Sequence, residues 1–169
     1  ASSYSEIEVS GNNRISVETV IMFSGLNLND EISITTLNDA IKRLYETNYF
    51  KDVKISTIAN KIQIKVDENP IIQSITINGV KNKELKKKLL ETTKKSEKYP
   101  YLLNSVKEQR NYLYNIVRSN GFYFAEVSTK LIDNKNNSID IIYNFNLGER
   151  AIIKKLPSLT YKSMPLQGI

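Results

Sequence analysis

The sequence predicts an α+β protein made of two consecutive β-α-α-β-β units. Two observations predict this: the chain repeats itself, and helical and strand periodicities follow in the same order within each copy. Residues 7–16, IEVSGNNRIS, are echoed by residues 75–84, ITINGVKNKE, with Gly11 and Gly79 lying 68 positions apart. Each string reads as a short strand, a glycine turn and a helix start. A second landmark, NYFKDV at 48–53, is answered by FYFAEV at 122–127, which places Phe50 and Phe124 74 apart. A third, ENPIIQSI at 68–75, is answered by ERAIIKKL at 149–156, 81 positions on. The growing separation implies six and then seven inserted residues, assigned to the stretch Ser96 to Pro100 and to the Asn-rich segment Asp133 to Ser138, since loops accept insertions most readily.

The elements of the first unit follow in order. A short helix is predicted from Ser16 to about Phe23. Ile32, Leu37, Ala40, Ile41, Leu44 and Tyr45 then keep helical spacing, with Ser33 placed as N-cap and Ile32 and Leu37 placed as a hydrophobic staple. Beyond Phe50 the period changes to two: Val53 and Ile55, then Ile62, Ile64 and Val66 with Lys61, Gln63, Lys65 and Asp67 between them, a hairpin with one buried face. The second unit repeats this with a helix from about Lys83 to Thr92 and a longer one from about Leu102 to Ser119, carrying Val106, Leu113, Ile116 and Val117 and ended by Gly121. Val127, Thr129 and Leu131, then Ile139, Ile141, Tyr143, Phe145 and Leu147, form its hairpin. Three strands and two helices on one face make a two-layer domain. Periodicity alone does not place the first strand within the sheet. Phe50, Tyr123 and Phe124, aromatics beside strand starts, are assigned to the core.

Composition narrows the function. The 169 residues are 40% hydrophobic and 25% charged, as in ordinary folded proteins, and contain neither cysteine nor histidine. That removes Cys/His zinc sites, thiol nucleophiles and histidine proton shuttles. Asp30, Glu31, Asp67 and Glu68 occur as adjacent pairs, which on a strand face opposite ways, and no Gly-rich phosphate loop is present. A non-catalytic protein without cofactor or metal is expected. No segment reaches the roughly 20 apolar residues of a membrane-spanning helix, so the chain as given is expected to be soluble. The net charge of +6 lies largely between Lys81 and Lys98, where Leu85, Leu89 and Leu90 mark one apolar helix face and the lysines a solvated one. A nucleic-acid module resting on Lys98, Tyr99 and Tyr101 is the weaker rival, because the predicted outer sheet face carries Lys, Gln, Asp and Asn instead of stacking aromatics.

These residues resemble a known family. VSGNNRIS at 9–16 with ETV at 18–20, LNDAIKRLYETNYFKDV at 37–53 and VDENP at 66–70 are similar to the first POTRA (polypeptide-transport-associated) domain of BamA-type outer-membrane barrel-assembly proteins. Asn48 departs from the family's usual glycine, and Gly79-Val80 from its commoner Gly-Asn. The resemblance implies a first domain at 1–69, a second at 70–150, and a truncated third domain or a tail at 151–169. It implies in each domain a mixed sheet with two antiparallel helices, whose edge is the hairpin's first strand, here 52–58 and 125–132. It further implies location at the periplasmic face of the outer membrane and a C-terminal barrel beyond this chain. The implied partners are unfolded β-barrel precursors, a periplasmic chaperone, and assembly-complex lipoproteins bound through further domains. Other outer-membrane transporters, of secretion or translocation-assembly type, carry such domains too.

An edge strand can bind an extended chain through main-chain groups. The candidate peptide-binding residues are therefore Val53, Lys54, Ile55, Ser56 and Thr57 in the first unit, and Val127, Ser128, Thr129, Lys130 and Leu131 in the second. Between the units, Glu68-Asn69-Pro70-Ile71 has no flexible spacer, and Pro70 restricts its own φ and that of its neighbour, so the units are expected to move as hinged bodies.

Overall fold

The structure, a computed structural model, describes residues 2–150. The first unit runs β1 (Glu6–Ser10), α1 (Val17–Ser24), α2 (Ile34–Glu46), β2 (Phe50–Ile58) and β3 (Lys61–Glu68). The second runs β4 (Ile71–Asn78), α3 (Lys83–Lys94), α4 (Leu103–Ser119), β5 (Glu126–Asn134) and β6 (Ser138–Asn146). The sequence-predicted start of a further domain at 151–169, including all of the third landmark's second copy after Arg150, lies outside the described residues.

Each sheet has the last strand in the centre: the orders are β1-β3-β2 and β4-β6-β5. The opening strand runs parallel to the central one and the hairpin partner antiparallel, giving a mixed sheet. Burial goes with this order. Along β3 every second residue, Ile62, Ile64, Val66 and Glu68, is buried, and along β6 Ile139, Ile141, Tyr143 and Phe145 are. The central strands each bury one full face, whereas β2 and β5 are mostly exposed.

The helices cover one face of each sheet, joining separate cores around Val20, Leu44, Ile62 and Ile64 in the first unit and Leu89, Leu113, Ile141 and Tyr143 in the second. Their starts are set locally. The Ser16 and Asn82 side chains accept from the main-chain N–H of Thr19 and Leu85, and Ser33 forms a reciprocal capping box with Thr36. Ile32, the staple residue before that box, is buried. Asn48 adopts φ 63°, a left-handed conformation that asparagine tolerates better than most residues in place of glycine.

The insertions that distinguish the second unit do not sit in loops as expected. The segments joining the helices, 25–33 and 95–102, are of similar length. It is the helices that grow, from 8 residues in α1 to 12 in α3 and from 13 in α2 to 17 in α4. Added helical turns keep the apolar face in register, so this core lengthens without a new loop. In the hairpins, the pair Val53–Val66 corresponds to Val127–Phe145, so the second hairpin is five residues longer, mostly as strand, with 135–137 alone between its arms.

Two landmark alignments also shift. Gly121 takes the position of Asn48, each with positive φ, yet one residue more separates Gly121 from Val127 than Asn48 from Val53. The surplus is absorbed in a turn closed by Ala125 N–H donating to the Phe122 carbonyl (3.3 Å). Phe50 is buried as expected, but the turn leaves Tyr123 44% and Phe124 82% exposed and puts Ala125 into the core instead. The assignment of those two aromatics to the core is thereby corrected. Glu68 is buried, whereas Glu149, its partner in the third landmark, is exposed.

Candidate functional site

The hairpin strands β2 and β5 lie at sheet edges, and which of their groups face outward can be read from single contacts. In an antiparallel ladder the N–H and C=O of one residue point to the same side, and successive residues alternate. The Val53 N–H donates to the Tyr45 hydroxyl of α2 (3.0 Å), away from β3. Val53, Ile55 and Thr57 therefore turn their main-chain groups outward, while Lys54 and Ser56 spend theirs on β3. In β5 the Val127 carbonyl accepts from Arg110 Nη1 of α4 (3.2 Å), away from β6. Val127, Thr129 and Leu131 thus face outward, with Asp133 beyond them, and Ser128 and Lys130 face β6. Of the ten candidates, six turn main-chain groups away from the ladder, with the Val53 N–H and the Val127 carbonyl among these already bonded to the helix, and the other four present only exposed side chains. Lys54 and Lys130 are solvated cations on the sheet.

The opposite edge of the second sheet is partly covered. The segment Lys98–Tyr101 lies along β4: the Lys98 N–H donates to the Ile72 carbonyl (2.7 Å), the Ile72 N–H to the Tyr99 carbonyl (2.8 Å), and Tyr101 N–H to the Pro70 carbonyl (2.7 Å). Glu97 accepts from the Ile75 N–H (3.0 Å). The residues weighed for nucleic-acid stacking are thus employed in closing an edge, with Tyr99 exposed and Tyr101 half-buried. In the first unit an isolated bridge joins Ser2 to Ile32, and across the β1–β3 pair Lys61 bridges Glu6 and Glu8 (3.1 Å each). Lys61, and the Gln63 amide after it, hold the Glu8 carboxyl below the usual carboxylate range.

The β2 and β5 edges differ in what guards them. Tyr45, bonded to the Val53 N–H, also donates to the Asp52 carboxylate (3.2 Å), so the entry to β2 is closed by a neutral hydroxyl with an acid behind it. The entry to β5 is closed by a guanidinium. Beside it, α4 and β5 enclose a groove of about 400 Å³ lined by Tyr101, Leu103, Val106, Lys107, Arg110, Asn111, Thr129 and Leu131. Leu103 and Leu131 are 55% and 41% exposed there. The Thr129 hydroxyl oxygen is buried without a hydrogen-bond partner. Tyr143, under the same helix, is fully buried and donates to Gln109 Oε1 (2.6 Å), and burial pushes its phenol far above the ordinary range. These guards were missed in the sequence, where Tyr45 and Arg110 read as helix-surface residues. A hint was available in their common position, each on the longer helix and each followed in sequence by the strand it covers.

The joint between the units is held by polar contacts. Glu68, 4% exposed, accepts from the main-chain N–H groups of Asn13 and Arg14. The Arg14 guanidinium donates to the Asn136 carbonyl in the β5–β6 turn. The neighbouring Asn137 donates its side-chain amide to the Glu68 carbonyl (3.2 Å) and accepts from the Ile71 N–H (3.2 Å). Among the described residues no helix is long and apolar enough to cross a membrane, and no group of three or more acidic residues could hold a metal ion.

Comparison with known proteins agrees with this architecture. The sequence model of the POTRA family, described as a surface antigen variable number repeat, matches residues 3–69 and again 70–148. The chain is 32% identical over 76 residues to the outer membrane protein assembly factor BamA of Neorickettsia risticii, an alignment covering 45% of this chain and 10% of that protein. It is 33% identical over 87 residues to BamA of Neisseria meningitidis serogroup B, covering 50% of this chain and 11% of the relative. The N-terminal domain of Omp85 from Thermosynechococcus elongatus superposes with a TM-score of 0.54 at 13% identity, over 96% of this chain and 75% of that one, a likeness of fold.

Proposed function

Because the chain belongs to the POTRA family, with both units matching the family, we propose that it is the periplasmic part of an outer-membrane protein assembly factor that receives unfolded β-barrel precursors by strand addition. The observation that carries this reading is the pair of edge strands, β2 and β5, whose main-chain groups at Val53, Ile55, Thr57, Val127, Thr129 and Leu131 lie outside the sheet ladders. An unfolded barrel precursor is rich in alternating segments with unpaired N–H and C=O groups, and pairing through the backbone reads little sequence. A periplasmic chaperone handing over such precursors, lipoprotein partners on further domains and a C-terminal barrel complete the proposed assembly.

The energetics favour brief capture. Each added hydrogen bond contributes about 0.5–1.5 kcal/mol net, and ordering a peptide residue costs about as much, which puts affinity near or above about a micromolar. Such a complex can pass its client on. Titrating the isotope-labelled chain with synthetic barrel-strand peptides should move the amide resonances of 52–58 or 125–132. Shifts confined to helix faces, or none at millimolar peptide, would refute strand addition.

A further inference from the structure

Resting on that reading, we propose that the peptide seat is the α4–β5 groove of the second unit, and that it selects extended segments carrying an acidic side chain on the same face as an apolar one. Four observations converge on this groove. First, it adjoins the outward edge of β5, whereas the opposite edge of the same sheet is occupied at Ile72 and Ile75 by the Lys98–Tyr101 segment and Glu97. Second, it exposes apolar surface at Leu103 and Leu131. Third, Thr129, whose hydroxyl oxygen is buried without a hydrogen-bond partner, is among its lining residues, so no internal bond holds that side chain in place. Fourth, its charged lining consists of Lys107 and Arg110, with no carboxylate among the lining residues.

The geometry sets the order of the ligand's side chains. A strand added to β5 alternates its own side chains between the two faces, so every second residue turns toward α4. Its residue beside Leu131 meets the apolar end of the groove at Leu103. A residue two or four positions along, toward Val127, comes beside Arg110, with Lys107 one helical turn before it on α4. An acidic side chain there pairs with the guanidinium that holds the Val127 carbonyl. The first unit offers the reverse. At the equivalent end of β2 a neutral hydroxyl, Tyr45, takes the place of the guanidinium, and beside it the Asp52 carboxylate, 3.9 Å from Lys54 Nζ, disfavours the same acid. The two edges, copies of one fold, thus differ in the charge they accept.

The test uses the 169-residue chain, isotope-labelled, and two ten-residue peptides of alternating valine and threonine, N-acetylated and C-amidated. One peptide carries Glu on the valine face and the other Gln at the same place. The Glu peptide should shift the amides of Thr129 and Leu131, bind about three- to fivefold more tightly than the Gln peptide at low salt, and lose that margin as salt rises. Arg110→Gln, and separately Lys107→Gln, should bring the ratio of Glu-peptide to Gln-peptide affinity toward one. Equal affinities for the two peptides, or shifts at Ile55 and Thr57 with β5 silent, would overturn the assignment while leaving strand addition standing. No shift on either edge with either peptide would overturn both.

Discussion

Gly79→Ala will strongly destabilise the second unit, and Gly11→Ala the first. Both glycines follow the opening strand of their unit and hold left-handed backbone, φ +86° and +83°. A Cβ on Gly79 would fall 1.9 Å from the Phe145 carbonyl oxygen, and one on Gly11 1.9 Å from the Val66 carbonyl oxygen. The obstacle is in each case the main chain of the central strand, which cannot yield without breaking ladder bonds on both sides. Forcing alanine into left-handed backbone costs about 1–2 kcal/mol by itself. Displacing a central strand adds more, and a total above about 3 kcal/mol is expected, a large part of what a domain of this size commands. Urea denaturation followed by amide resonances of each unit should show one unit lost and the other kept. Gly148→Ala is the control: its φ is +63° but nothing lies within 4 Å of the added carbon, so only the backbone cost applies. If Gly79→Ala proves no worse than Gly148→Ala, the close approach of turn to central strand is not a constraint on the fold.

These two glycines are also where sequence and structure agree most directly. They were recognisable because a close backbone approach leaves a residue-level mark, and so do a helix N-cap such as Ser33 and the alternation of Ile62, Ile64 and Val66. The positions that escaped are those whose role depends on what lies across space. Strand order needed the resemblance, since burial of β3 on one face does not by periodicity alone reveal two neighbours. Phe124 carries the same letter as Phe50, yet a single additional residue after Gly121 turns it to solvent, and Ala125 has no apolar bulk to announce that it replaces an aromatic. The candidate strands were legible as segments. Which of their residues face outward, and that Tyr45 and Arg110 sit over the strand entries, depends on the packing of α2 and α4 against the strands that follow them. Likewise the Asn-rich turn read as a passive insertion, because its use is a contact with the other unit.

That contact carries the second large effect, at Glu68. Its carboxylate is buried and takes the main-chain N–H groups of Asn13 and Arg14, closing the turn between β1 and α1. Hydrogen bonds to a charged group contribute about 1.5–3 kcal/mol, and removing the acceptor leaves two donors in a half-buried turn. Glu68→Ala should therefore destabilise the first unit by about 3 kcal/mol, read by denaturation as above. Glu68→Gln, which keeps one neutral acceptor, should cost about half of that. The same turn presents Arg14 to the Asn136 carbonyl of the second unit, so releasing it should also loosen the joint. Arg14→Ala separates the two consequences, because it removes the Arg14–Asn136 contact and leaves the carboxylate bonded to main chain. It should change the stability of the first unit by less than about 1 kcal/mol, since its loss falls on an exposed contact. Residual dipolar couplings should nevertheless show the units sampling a wider range of mutual orientations. If both variants leave the couplings of the two units described by one common alignment, the Glu68 side chain serves the first unit alone, and the Arg14–Asn136 contact has no part in fixing the joint.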